Sequence, residues 1–340
     1  MNMTLGLDVH KRTTAYALVN ERGELQQRGE TKTNPKLCLE LVSWLPSSAV
    51  QIGMESSTYI YPLYDAFNDA GYRVRVAHPA KLSRITKAEV KHDDKDALDL
   101  ALQLLRNDFP ESYILSKEMR DKRQMIRQHM TLTNEESRIK CRIHSLLAQY
   151  DIRVPCQLGT KKSFEFMQAI QLPTNSKLTL EIFTLQLKKA KELLRLIDTQ
   201  IRHFVANNKE AQAIMRLDGV GEFTAATFLI ELGDWKRFKS VKQLTSYAAM
   251  IPKMSGSAHK MYYGRMRTDG NQQIRFAFNR AAEQAIRKDN QFKLCFQKLI
   301  SKGKRRRTAI GAIANKLLRC CYGVLHAEEL NNSGSSMERG

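Results

Sequence analysis

From Leu180 to Phe204 apolar residues recur at alternating intervals of three and four: Leu180, Phe183, Leu187, Ala190, Leu194, Ile197, Ile201 and Phe204. This is an a/d seam, and it demands a long helix whose seam another helix covers. Lys and Arg flank it. The preceding stretch, residues 118–149, has few helix breakers until Pro155 and Gly159 interrupt. Two such helices can pair as an antiparallel hairpin within one chain or join two chains, and the pattern fits both. A helical, coiled-coil region over residues 116–208 is therefore the fixed point of the fold.

The segment before it, residues 1–115, reads as α/β. Leu5 to Val19 alternates as one strand, Asn20 to Gly23 makes a turn, and Glu24 to Thr33 returns as a second strand, so the pair forms a hairpin. Helical spacing follows over Lys36 to Leu45, a short buried strand over Ala49 to Met54, and a helix over Tyr61 to Ala70 closed by Gly71. Tyr72 to Ala77 reads as a strand, and Asp93 to Leu105 as a helix with Leu98, Ala101, Leu102 and Leu105 on one face. Residues 209–328 read as a small, mostly helical domain. Within it, residues 252–273 form a Gly/Ser/basic segment without evident regular structure, and helices resume from Ile274. Residues 329–340 have the composition of a disordered tail. The fold class is thus α/β plus all-α.

Charge is graded along the 340 residues. Basic and acidic side chains number 13 and 13 in residues 1–105, 19 and 12 in 106–210, and 23 and 10 in 211–340. The excess that makes up the net +20 lies wholly in the last two thirds, which points to a polyanionic partner, most simply nucleic acid. A hydrophobic content of 42% is enough for packed cores and excludes a disordered chain. No run of about 18 apolar residues spans a membrane. Asp8, His10 and Lys11 interrupt the place where a signal peptide needs its apolar stretch. The six cysteines form no CxxC pair, which predicts reduced thiols in a cytoplasm and no zinc site.

Four carboxylates stand out. Asp8 lies inside an apolar strand, where an aspartate is costly unless paired or bound to metal. Glu55 ends another strand. Asp93 and Asp96 stand three apart at a helix start and so share a face. Converging, the four can hold two Mg²⁺ ions about 3.5–4 Å apart for phosphoryl chemistry, since their ligands are hard oxygens. Alternatively, Asp93, Asp94 and Asp96 are helix N-terminal acids that favour the macrodipole. Asp99 lies off their face and reads as solvated.

In the last third, Leu217-Asp218-Gly219-Val220-Gly221 resembles a helix-hairpin-helix turn, whose glycines let backbone N–H groups reach a phosphate. A plain glycine-bearing helix connection fits equally. Ser255 and Ser257 flank Gly256 in a basic context with Lys260, Arg265 and Arg267, where a serine is suited to attack a phosphodiester. An ordinary polar loop serine is the alternative. Lys304, Arg305, Arg306 and Arg307 form a basic knot.

Taken in order, these motifs resemble the DEDD transposases of the bacterial insertion-sequence family called IS one-ten, which are similar to Piv-type DNA invertases. The correspondence covers nearly the whole chain. It runs through Gly6-Leu7-Asp8-Val9-His10-Lys11, Glu55-Ser56-Ser57, Asp69-Ala70-Gly71-Tyr72 and Lys91-His92-Asp93-Asp94-Lys95-Asp96-Ala97. It continues through Leu217 to Gly221, Ala248 to Pro252, Ser255-Gly256-Ser257 and Gly264 to Arg275. His92, Asp218, Thr268 and Asp269 depart from the usual residues.

The resemblance implies a ribonuclease-H/RuvC-like N-terminal domain in which Asp8, Glu55, Asp93 and Asp96 hold Mg²⁺. It implies a C-terminal transposase domain with Ser255 as nucleophile, and Ser257 as its nearest competitor. It further implies nucleic-acid contacts at Lys11, Gly219, Gly221, Lys260, Arg265, Arg267 and Lys304 to Arg307. A dimer-to-tetramer assembly, DNA ends and target as partners, a structured bridge RNA, and a cytoplasmic, nucleoid-associated location follow from it. The competing readings are a Piv-like site-specific invertase, a metal-dependent junction resolvase or nuclease in which Ser255 is a bystander, and a non-catalytic nucleic-acid-binding protein.

Overall fold

Alternation in the first strands does not run unbroken. In the computed structural model, which describes residues 2–79, 93–257 and 260–337 and the side chains of these except 93–95, 254–263 and 330–337, the span read as one strand is two. β1 (Met3–Val9) and β2 (Thr13–Asn20) are antiparallel, and the turn between them is closed by His10 N–H donating to Thr13 O at 3.0 Å. The polar run His10-Lys11-Arg12 reverses the chain, and β3 (Leu25–Lys32) completes a three-stranded meander rather than a two-stranded hairpin.

The chain divides into two compact units, Met1–Ile114 and Leu115–Gly340. In the first, β4 (Val50–Glu55) and β5 (Arg73–Ala77) extend the sheet in parallel, giving the order β3-β2-β1-β4-β5. One face is bulky. Leu5, Leu7 and Val9 join Ile52 and Met54 beneath α1 (Pro35–Glu40) and α2 (Ile60–Asp69), whose Ile60, Leu63 and Phe67 are fully buried. Each such side chain contributes about 1.5–3 kcal/mol by leaving water. The other face is floored by small residues, Gly6, Ala15, Ala17 and Gly53, and there α3 (Asp93–Leu105) lies close against the sheet. A Cβ on Gly6 would stand 2.0 Å from Ala97 O and 2.7 Å from Ala101 N, so only glycine admits the helix at this distance.

In the second unit the heptad finds its partner within the chain. α4 (Lys117–Ala148) and α6 (Thr174–Ala206) run antiparallel: Ile139, Ile143 and Leu147 meet Leu180, Leu187 and Ala190, while Ile126 meets Ile201 and Val205. α5 (Lys161–Ala169), capped by Thr160, packs across α6. Leu178, Ile182, Leu185 and Leu196 leave a second, exposed apolar row on α6.

The remaining elements are α7 (Lys209–Ile214), α8 (Glu222–Leu232), α9 (Val241–Tyr247), the strands β6 (Pro252–Ser257) and β7 (Lys260–Met266), α10 (Gln272–Ala285), α11 (Gln291–Ser301) and α12 (Arg306–Met337). Every residue of α8 from Thr224 to Leu232 is buried, as expected of a helix apolar on all sides. Its Phe228 meets Phe278 of α10 edge to face at 5.3 Å. Ile126, Ile201 and Val205 belong to this same core, so residues 116–208 and 209–328 share one unit.

Two expectations are corrected. Residues 252–257 and 260–266 are paired antiparallel strands, because Met261-Tyr262-Tyr263 favour a pleated strand and pair with Gly256 to Met254. Residues 329–337, expected within the tail, are helical: α12 continues past Leu325, the last buried apolar residue among its described side chains, and there Arg216–Glu328 at 3.0 Å and Lys236–Glu329 at 2.5 Å hold it.

Candidate active site

The parallel pairing of β1 with β4 sets Gly6 beside Gly53 and Leu7 beside Met54. Continued by one step, that register puts Asp8 beside Glu55 at the carboxyl ends of both strands. Gly6 faces α3, and so does Gly53, whose missing Cβ would meet Leu104 Cδ2 at 3.0 Å. Since side chains alternate along a strand, Asp8 and Glu55 share that face. The helix is oriented too. Its C-terminal Leu102 and Leu105 lie over Gly23, at the opposite end of the sheet. Its N-terminus, carrying Asp93 and Asp96, therefore points toward the end where Asp8 and Glu55 stand.

Asp8 is 14% exposed, and its Oδ2 lies 3.2 Å from His10 Nε2. Glu55 and Asp96 are half-buried. The side chain of Asp93 lies outside the described residues, as does that of Asp94. Among the described residues no three His, Cys, Asp or Glu groups close into a metal-holding cluster. The donors that the geometry aligns are all hard oxygens, as magnesium requires. Asp99, expected to be solvated, is half-buried. Its place on a helix pressed flat on the sheet accounts for this. Lys11 is exposed in the β1–β2 turn, three residues past Asp8. Sequence reasoning gave no role to His10, although its spacing on the far side of Val9 from Asp8 was the available signal.

In the second unit Ser255 stands on β6 with its backbone opposite Tyr262, and Ser257 opposite Lys260. The side chains of Ser255, Ser257 and Lys260 lie outside those described. Arg265 is exposed on β7. Arg267 closes the hairpin: its N–H donates to Ile251 O at 3.3 Å, its guanidinium to Ser246 Oγ at 2.9 Å and to both oxygens of Asp269. The Asp269 carboxylate raises the Arg267 pKa.

Gly219 and Gly221 differ in kind. Gly219 has φ +89°, and a Cβ there would stand 2.4 Å from Ala281 O, so this glycine is required by the crossing of α10. Hydrogen bonds from Lys288 and Asn290 hold the adjacent Asp218 carboxyl below its usual range. Gly221 is the N-cap of α8 and has open space where a Cβ would be.

Gly303, at φ +74°, ends α11: its N–H donates to Ile300 O and that of Lys304 to Leu299 O, a Schellman closure. Lys304, Arg305, Arg306 and Arg307 are all exposed at the start of α12. Four cations at a helix N-terminus oppose the macrodipole, each by about 0.3–1 kcal/mol, and an anion there relieves them.

Comparison with known proteins agrees with both halves. Residues 5–152 match a family model described as a transposase, of the DEDD type of IS110. Residues 211–297 match the "Transposase IS116/IS110/IS902 family". The chain is 21% identical to the transposase for insertion sequence element IS1111A of Coxiella burnetii, over 97% of this chain and 92% of that one. It is 31% identical to the pilin gene-inverting protein of Moraxella bovis over 35% of this chain and 37% of that one. It is 19% identical to a probable family 20 transposase of Pseudomonas aeruginosa, over 78% and 81%. Among the described residues no helix is long and apolar enough to cross a membrane. With two models of IS110-type transposases matched in sequence order, over residues 5–152 and 211–297, the chain belongs to the IS110 family of transposases.

Proposed function

We propose that this transposase cuts and rejoins DNA strands through a covalent serine–DNA link, with Ser255 as nucleophile and a carboxylate site formed by Asp8, Glu55, Asp93 and Asp96. The observation that carries the reading is the convergence of Asp8 and Glu55, on adjacent parallel strand ends, with the N-terminus of α3. The sheet order β3-β2-β1-β4-β5, antiparallel then parallel, supports a ribonuclease-H/RuvC-like unit. The four carboxylates would hold two Mg²⁺ ions. When bound, these supply positive charge against the scissile phosphate and the departing oxygen.

The steps on the protein's own residues balance. Ser255 Oγ loses its proton and bonds to phosphorus, the P–O3′ bond breaks, and the 3′-oxygen takes up a proton. In the return step a different 3′-hydroxyl attacks the phosphoserine and releases Ser255. No outside energy source is needed, because one phosphodiester is exchanged for another. A hydrolytic nuclease leaves no such adduct. Denaturing the full chain with duplex DNA taken from the flanks of its own gene, with Mg²⁺ or with chelator, tests this. We expect a Mg²⁺-dependent protein–DNA adduct mapping to the peptide with Ser255; cut DNA without an adduct leaves the resolvase reading.

We further assign DNA ends, target DNA and a structured bridge RNA as partners. Lys11, Lys260, Arg265, the Gly219–Gly221 turn and the Lys304–Arg307 knot are placed as phosphate contacts. The exposed row Leu178, Ile182 and Leu185 supports self-association into dimers or tetramers. It lies about 200° around α6 from the seam already used within the chain. Sequencing the RNA that co-purifies separates the guided from the unguided reading: a discrete transcript from beside the gene is expected, and random cellular RNA overturns it. Replacing Lys304, Arg305 and Arg307 with Gln should lower the slope of log K against log salt by about 0.7–0.9 for each phosphate that the protein no longer neutralises. An unchanged slope removes the knot from the interface.

A further inference from the structure

Glu231 is fully buried within the mostly apolar helix α8, and its carboxylate has partners from several elements. Oε1 accepts from Arg127 Nε at 3.0 Å. Oε2 lies 3.0 Å from Arg123 Nε and accepts from Asn271 Nδ2 at 2.8 Å. Its backbone oxygen accepts from Tyr247 Oη at 3.0 Å and Arg123 Nη2 at 3.3 Å. A single residue thus ties α4, α9 and Asn271 to α8. A buried carboxylate with fewer partners would be costly, so this one is held by ionic and neutral donors together.

Asn271 lies at the exit of the hairpin that carries Ser255. Its N–H donates to Tyr247 O at 2.6 Å, and its Oδ1 caps α10 by accepting from Gln273 and Ile274 N–H. The four residues before it run from Arg267, whose carbonyl accepts from Arg275 Nη1 at 2.9 Å, to Gly270, pressed on the backbone of Tyr247 and Ala249. On the entry side, Asn315 Nδ2 donates to Met250 O at 2.9 Å. The two ends of the hairpin are therefore fixed to helices, and on the exit side that fixing ends on Glu231.

We propose that Glu231 is a positioning residue for strand exchange: through Asn271 it fixes the base of the β6–β7 hairpin and so sets where Ser255 stands. This rests on the reading of Ser255 as nucleophile. Glu231 touches no DNA in this role. It acts by holding a backbone, and a misplacement of about 1 Å at a reacting group costs about 10²-fold in rate.

Two variants of the full chain test it, Glu231→Gln and Asn271→Ser. The second keeps a hydroxyl able to cap α10 but is too short to reach Glu231, so the fold is retained. With the gene-flank duplex as probe, both should form the protein–DNA adduct about 10²-fold more slowly at saturating DNA, with DNA affinity unchanged. Hydrogen exchange should quicken at the amides of residues 253–257 and 260–266, with Asn271→Ser still folded at the assay temperature and destabilised only by the loss of one donor to Glu231, whose pairs with Arg123 and Arg127 remain. A purely structural role lowers the melting temperature without this split. Parent-rate adduct formation by folded Asn271→Ser, or unaltered exchange in the hairpin, overturns the proposal. Ser255→Ala serves as the separate control. If it still forms the adduct, the nucleophile assignment falls, while the exchange result still decides whether Glu231 holds the hairpin.

Discussion

Ser255→Ala should eliminate strand exchange and the covalent protein–DNA species together, while Ser257→Ala should retain both. On the proposed mechanism the Ser255 hydroxyl is the group that bonds to phosphate, so its removal should give a complete rather than a graded loss. DNA affinity should stay close to the parent value, because a serine carries no charge to neutralise phosphate. Gel separation after denaturation reads the adduct, and a plasmid recombination assay reads the exchange. Exchange by Ser255→Ala at a measurable fraction of the parent rate removes Ser255 from the chemistry. Loss in Ser257→Ala alone moves the nucleophile by two residues along β6.

Gly6→Ala is expected to disable the protein without touching a functional group. The new methyl would stand 2.0 Å from Ala97 O and 2.7 Å from Ala101 N, both backbone atoms that no rotamer change can move. α3 must lift from the sheet, at about 1–3 kcal/mol for overpacking. The same displacement carries Asp93 and Asp96 away from Asp8 and Glu55. Mg²⁺-dependent cleavage should fall by at least about 10²-fold while the unit stays folded at low temperature. Gly264→Ala, whose nearest neighbour would be 3.6 Å away, is the matched control and should leave cleavage near the parent level. Full activity in Gly6→Ala would mean that the position of α3 does not govern the site.

What the sequence disclosed follows from how local each signal is. The helix Asp93–Leu105 was legible to its ends but not in its face. The sequence presents Leu98, Ala101, Leu102 and Leu105 as the apolar side, whereas Ala97, Leu100, Ala101 and Leu104 are the buried ones, because the small floor of the sheet admits alanines there. The heptad announced its helix but not its partner; that Leu180 and Leu187 share one core with Ile139 and Ile143 of the same chain decides it. The break at His10 to Arg12 was hidden because apolar residues resume after it, although the bulky face passes from Leu5, Leu7 and Val9 to Tyr16 and Leu18, a shift of one position. The hairpin at 252–266 was hidden by glycine and serine, whose strand pairing depends on Tyr262 and Met261 from the partner strand. Glu231 is masked by the apolar helix around it, although the cost of burying a carboxylate that singles out Asp8 applies to it equally. Arg267, read from its charge as a phosphate contact, has its guanidinium on Asp269 and Ser246.

The helix α8 bears on how the molecule comes into being. It is apolar all round, and its cover is assembled from α4 and α6, made before it, and from α10, made after it. A nascent chain that has emerged only as far as Leu232 has half a sheath for a wholly greasy rod. The cover of α8 is therefore completed late in synthesis, once α10 is free of the ribosome, and the core it belongs to only after Ile310 to Leu325 of α12 follow. Until then the strand bearing Ser255 has no finished base to stand on, so a stalled or prematurely ended product would be a target for chaperones and proteases. Quality control of this DNA-cutting protein is thereby written into the order in which its helices appear.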